Sequence, residues 1–82
     1  MFQMTVERFM KTKDIVSVSG PCKNRWDFTS PLIDDSGKLY NAYIPLTVEL
    51  AFDDSRIMLC LKDDVNPETL QGRVLKAYQL PN

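Results

Sequence analysis

Ile57, Leu59 and Leu61 alternate with Met58, Cys60 and Lys62, and the polar stretch that follows closes on Gly72 before Val74 and Leu75 resume an apolar run. A period of two is what a half-buried strand requires, because successive side chains leave opposite faces of the backbone. Asn66 suits the cap of a short turn, Pro67 its first position, and Gly72 lets the chain leave in a left-handed conformation. The unit 57–75 therefore predicts a strand, a single helical turn near residues 66–71, and a second strand.

The same periodicity recurs upstream. Phe2, Met4 and Val6 fall on one side of a first strand over residues 2–10, with Gln3, Thr5 and Glu7 on the other. In DIVSVSG (14–20), Ile15, Ser17 and Ser19 alternate with Val16 and Val18, and the run ends at Gly20-Pro21, a strong turn signal. These two strands are expected to pair antiparallel. Residues 25–30, RWDFTS, carry the β-formers Trp26, Phe28 and Thr29 and predict a third strand, with Pro31 at its end or on an edge. Asp34, Asp35, Ser36 and Gly37 form a polar hairpin turn. Residues 38–52 make one bent strand or two, with Pro45 at the bend and an apolar set of Leu39, Ala42, Ile44, Leu46, Val48 and Leu50. Tyr40 and Tyr43 do not keep one phase, so the register there stays open. Asp53, Asp54 and Ser55 turn the chain again, and the last strand runs through Lys76 to Leu80, ending at Pro81. Six short strands with turns between them and almost no helical period predict an all-β fold. The form expected is a small closed six-stranded antiparallel β-barrel, one domain over residues 1–82.

Composition narrows the function classes. The 82 residues are 44% hydrophobic and 26% charged, an ordinary globular balance. No apolar run approaches the roughly 18 residues of a spanning helix. The opening MFQMTVERFMKTKD carries charge where a secretory segment is apolar, which points to the cytoplasm and away from a membrane. Histidine is absent, and neither Cys22 nor Cys60 lies in a CxxC pair, so reduced thiols are expected and neither a zinc site nor a histidine-based relay is. With no GxxxxGK[ST] loop either, the reading is a protein that is not an enzyme and carries no cofactor or metal.

Charge adds the candidate binding residues. Residues 1–26 hold five basic and two acidic groups, whereas residues 27–82 hold five basic and nine acidic ones. Lys11, Lys13, Lys23, Arg25 and Trp26 are the candidates, because cations beside an aromatic ring can grip phosphates and stack a base. If the first two strands pair, Lys11 and Lys13 lie at one end and Lys23, Arg25 and Trp26 come off the other, which divides the set between two poles. The same residues also fit ordinary solvated loops with Trp26 in the core, since a chain of net charge −1 gains little long-range steering toward nucleic acid. Asp34-Asp35, Asp53-Asp54 and Asp63-Asp64 fit turn chemistry better than calcium, for want of a D-x-D-x-D-G loop. Tyr40, Tyr43 and Tyr78 suit barrel packing or a partner groove.

Two blocks carry a family resemblance. Phe2 and Met4, TVERF (5–9) and IVSVSG (15–20) resemble the opening hairpin of the β-barrel domain that follows the GTPase domain in translation factors such as elongation factor Tu. MLCLKDDVNPETLQGRVL (58–75) is similar to the closing pattern of that domain, an apolar strand, a short acidic turn and then Gly72-Arg73-Val74-Leu75. The resemblance covers about half the chain and implies the barrel fold; it carries over no contact residue. The function expected is a small non-catalytic interaction module with a protein partner. The alternative is an RNA-binding module associated with translation, using the basic residues near the N-terminus.

Overall fold

The computed structural model describes residues 1–13, 15–45 and 55–78. Among these, eight short strands form one antiparallel sheet rolled into a nearly closed barrel: β1 (Gln3–Thr5), β2 (Arg8–Lys11), β3 (Val16–Lys23), β4 (Leu32–Ile33), β5 (Leu39–Tyr40), β6 (Ala42–Tyr43), β7 (Arg56–Leu61) and β8 (Val74–Ala77). The hydrogen-bonded order is β5-β4-β8-β1-β3-β7-β6, with β2 added on β3. Only Asn41 separates β5 from β6, so the two ends of that order meet at one residue of chain.

The core follows the predicted alternation in the first strand, β3 and β7, and β8 adds to it. Phe2, Met4 and Val6 point inward from the first strand region, Val16 and Val18 from β3, Ile57, Leu59 and Leu61 from β7, and Leu75 and Ala77 from β8. Val65 and Leu70 are buried with them.

Three expectations are corrected. The first strand is not continuous: β1 stops at Thr5 and β2 starts at Arg8. Met4 pairs with Cys22 but Arg8 pairs with Ser19, so the first strand carries one residue more than β3 over this span, a β-bulge. Gly20-Pro21 does not turn the chain. Instead β3 runs through it, pairing Gly20 with Ile57 and Pro21 with Arg56. Glycine is needed there because the bulge drives the Thr5 carbonyl into the space that a Cβ would fill. Residues 25–30 are not a strand. Arg25–Asp27 is a 3-10 turn, entered through Asn24 in the left-handed conformation (φ 56°), and the next strand is Leu32–Ile33. Asparagine tolerates that conformation and marks such a reversal.

Residues 39–43 settle the open register. Tyr40 and Ala42 point inward and pair with Leu32 and Leu61, while Leu39, expected in the apolar set, is exposed, as is Tyr43. Tyr40 therefore takes the core place that Leu39 was assigned. Leu46, Val48, Leu50, the Asp53-Asp54 turn and the strand end at Leu80 and Pro81 lie outside the described residues.

The helical turn expected near residues 66–71 is the 3-10 turn Pro67–Leu70. Asn66 Oδ1 accepts from the Glu68 N–H at 3.1 Å, Pro67 occupies the first turn, and Gly72 follows at φ +82°. Asn66→Ala is expected to cost about 1 kcal/mol, the usual value of an N-cap, whereas Asn66→Asp keeps the acceptor and costs little. Urea midpoints of the two variants test this; equal losses would show that the cap bond contributes nothing.

Candidate functional site

The hairpin of β2 and β3 separates the candidate residues, as the sequence suggested. Lys11 and Lys13 sit at its turn. Lys23 ends β3, and Arg25 and Trp26 follow it.

At the Lys11 pole, Lys11, Lys13 and Lys62 surround a cleft of about 290 Å³ with Ile15, Val16, Asp63 and Asp64. Its charges are largely answered. Lys11 Nζ is 3.7 Å from Asp64 Oδ1, and Asp63 Oδ2 accepts from the Asn41 N–H at 2.6 Å. Lys62 reaches over the Tyr43 ring, with Nζ 5.8 Å from the centroid. Cys60 is the cross-strand neighbour of Tyr43 and, by its electrostatic contact and hydrogen bond, raises the phenol pKa above its ordinary value. Lys62 was not among the sequence candidates. Its signal was the alternation of β7, which turns residue 62 to the opposite side from Leu61.

At the other pole, the 3-10 turn presents Trp26, 74% exposed, rather than burying it in the core. The turn is tied down on several sides. The Asn24 side chain donates to the Met1 carbonyl at 2.9 Å, the Asp27 N–H to the Asn24 carbonyl at 2.9 Å, and the Phe28 N–H to the Arg25 carbonyl at 3.2 Å. Phe28 packs edge-on against the buried Phe2, ring centroids 5.2 Å apart. Arg25, expected as a surface cation, is buried and donates from Nη1 to the Arg56 carbonyl at 2.8 Å. Its guanidinium carbon lies 5.7 Å from the Trp26 ring centroid, so Arg25 also braces the indole from below. Arg56 in turn donates from Nη2 to Glu7 Oε1 at 2.7 Å, a hydrogen bond that, with the guanidinium charge, holds the Glu7 carboxyl below the usual carboxylate range.

Lys23 belongs to a different surface from Lys11 and Lys13. Gln3 pairs with Lys23 on one side and Lys76 on the other, so the two lysines flank Gln3 on the outer face of β3, β1 and β8, with Cα atoms about 10 Å apart. Beside this row, Ile33, Val74, Asp34 and Asp35 line, together with Gln3 and Lys76, a groove of about 350 Å³. Lys76 was missed by the charge reading because it stands 50 residues away from the N-terminal basic run; the alternation of the last strand, with Leu75 and Ala77 inward, was the signal for it.

The arrangement presents Lys23 and Lys76 on one face and an exposed indole at the Trp26 turn, groups able to make charge-assisted hydrogen bonds and apolar contacts. Among the described residues no group of three or more histidine, cysteine, aspartate or glutamate side chains could hold a metal, and no helix is long and apolar enough to cross a membrane. Comparison with known protein families, with curated proteins and with solved structures found no match.

Proposed function

We propose that this barrel is a non-catalytic interaction module that binds a protein partner through the Trp26 turn. The observation that carries the reading is a tryptophan 74% exposed on a turn braced by buried Arg25 and by Phe28. Tryptophan is enriched among the residues that dominate protein interfaces. Because the turn is already fixed, little ordering free energy is lost on binding. We read the eight short strands as six segments of a closed barrel, β1 with β2 and β5 with β6 each counted as one. That is the form which the resemblance to translation-factor barrels implies, and the charged opening MFQMTVERFMKTKD supports a cytoplasmic module.

RNA binding is the second reading. The row of Lys23, Gln3 and Lys76 favours it, since two cations on one face can track a phosphate backbone, and Lys23 stands three residues before the exposed Trp26, on which a base can stack. Protein is preferred because the cations are scattered. Arg25 is engaged with a backbone carbonyl, Lys11 with Asp64, and the net charge is −1.

The test is affinity capture from lysate with the wild-type chain and with Trp26→Ala, each with and without nuclease. Partners bound by the wild type are expected to survive nuclease and to weaken in the variant by about 2 kcal/mol, roughly thirtyfold in affinity. Its folding stability should stay within about 0.5 kcal/mol of the wild type, as for an exposed side chain. Loss of the partners on nuclease treatment would transfer the function to RNA, and partners retained by Trp26→Ala would remove the turn from the site.

A further inference from the structure

We propose that the outer face of β5, β4, β8 and β1 binds a small anionic amphiphile, a monocarboxylate with a medium-length apolar tail. Lys76 and Gln3 take the carboxylate, and Ile33, Val74 and Leu39 lie beneath the tail. The proposal does not depend on what docks at the Trp26 turn.

The strand register brings these residues together. Leu39 pairs with Ile33, Ile33 with Lys76, and Lys76 with Gln3, so one row of side chains crosses four neighbouring strands. Cross-strand partners leave the same face of a sheet. The residues next to them, Tyr40, Leu32, Leu75, Ala77 and Met4, belong to the core, which puts this row on the outside. Val74, two residues before Lys76, adds a third aliphatic side chain to the same face. The outward side of such a sheet in water is ordinarily the polar one. Here it carries Leu39, 45% exposed, together with half-buried Ile33 and Val74. Ile33 and Val74 form the apolar part of the groove of about 350 Å³, a volume in the range of small-ligand sites.

Charge selects the head group. Among the described residues the Lys76 ammonium has no ion pair and the Gln3 amide no hydrogen bond, so a full cation and an amide donor stand beside the aliphatic floor. A carboxylate there gains charge-assisted hydrogen bonds. The two acidic residues that line the groove do not oppose it, because both are already answered. Asp34 accepts four hydrogen bonds from Ser36, Lys38 and Tyr40, and Asp35 Oδ1 lies 2.7 Å from Arg73 Nη1. Antiparallel pairing runs the chain from Ile33 toward Asp35 alongside the step from Lys76 to Val74, so that ion pair stands at the end of the groove away from Lys76. A cationic amphiphile would meet Lys76 as a like charge. An uncharged one would cover the ammonium without supplying a counter-charge, which costs free energy.

The test adds sodium octanoate to the isotope-labelled protein and follows amide shifts by NMR, with octylammonium chloride and sodium acetate as controls. Octanoate is expected to shift the amides of Gln3, Ile33, Val74 and Lys76 saturably, with a midpoint on the order of 1 mM, as for a ligand of about ten heavy atoms at modest efficiency. Octylammonium and acetate should leave those amides in place at the same concentration. Lys76→Gln, at an exposed position that the fold does not need, should weaken octanoate at least tenfold. Ile33→Thr keeps the β-branched outline and should weaken it severalfold, which tests the tail separately from the head. An equal response to octylammonium would mean apolar adsorption without charge selection, and an equal response to acetate would mean a lone cation; either overturns the proposal. So would shifts centred on the Trp26 turn, no saturable response at ten times that octanoate concentration, or full affinity in Lys76→Gln.

Discussion

Gly20→Ala is expected to cost the barrel about 3 kcal/mol, a large share of the stability of a domain this small. The Cβ of alanine would strike the backbone carbonyl of Thr5 and crowd the Glu7 N–H, and neither is the yielding end of a side chain. Both atoms belong to the bulge, and both are fixed by ladders on two sides: Thr5 pairs with Val74, and the Glu7 N–H donates to the Ser19 carbonyl at 2.9 Å. Relief therefore means moving the crossing between β1, β2 and β3, the joint on which three elements depend. Gly72→Ala is the control. At φ +82° with no atom near its Cβ, it meets only the conformational penalty, about 1 kcal/mol. Thermal unfolding separates the two, because 1 kcal/mol shifts the midpoint by about 4–8 °C in a domain of this size. Equal shifts would mean that the bulge relaxes freely and that glycine is not required by close approach.

That joint also shows where the sequence was legible and where it was not. Apolar residues two apart placed the inward faces of the first strand, β3 and β7 correctly, because burial on one face imposes the period directly on the side chains. The turn at residues 67–70 was legible for a similar reason: Asn66, Pro67 and Gly72 each perform a local backbone task. Gly20-Pro21 misled because glycine marks close approach as well as turns, and only the pairing of distant strands decides which. Trp26, Phe28 and Thr29 read as strand by propensity, yet the left-handed Asn24 and the buried guanidinium of Arg25 bend this segment into a 3-10 turn. The candidate site divided likewise. Its split into two poles followed from the hairpin alone, whereas the meeting of Lys23 with Lys76 required a pairing across more than 70 residues of chain, through β1.

Asp34→Ala is expected to destabilise the protein by about 3 kcal/mol, because one buried carboxylate organises a whole turn. Asp34 Oδ1 accepts from the Ser36 N–H at 2.8 Å, the Ser36 hydroxyl at 2.6 Å and the Lys38 N–H at 3.0 Å, while Oδ2 accepts from the Tyr40 hydroxyl at 2.7 Å. Removing it leaves the Tyr40 hydroxyl, also buried, without its acceptor. Burial by itself would raise the Asp34 pKa, but these donors outweigh it and hold the carboxyl well below the usual carboxylate range. Since the folded value lies below the unfolded one, this stabilisation is present above the unfolded pKa near 4 and fades only as the pH falls toward the folded value. Tyr40 works in the opposite sense. Burial, then the hydrogen bond to Asp34 and the charge behind it, push its phenol up to about 12. The linked stability is complete below the unfolded value near pH 10 and is lost as the pH rises from there through about 12. Ultraviolet titration of the wild type against Tyr40→Phe isolates this residue from Tyr43 and Tyr78, and the difference should show ionisation near pH 12 in the folded protein. Titration of Tyr40 near 10 while the barrel remains folded would mean that the Asp34 contact is not kept in solution, and the expected cost of Asp34→Ala would fall with it.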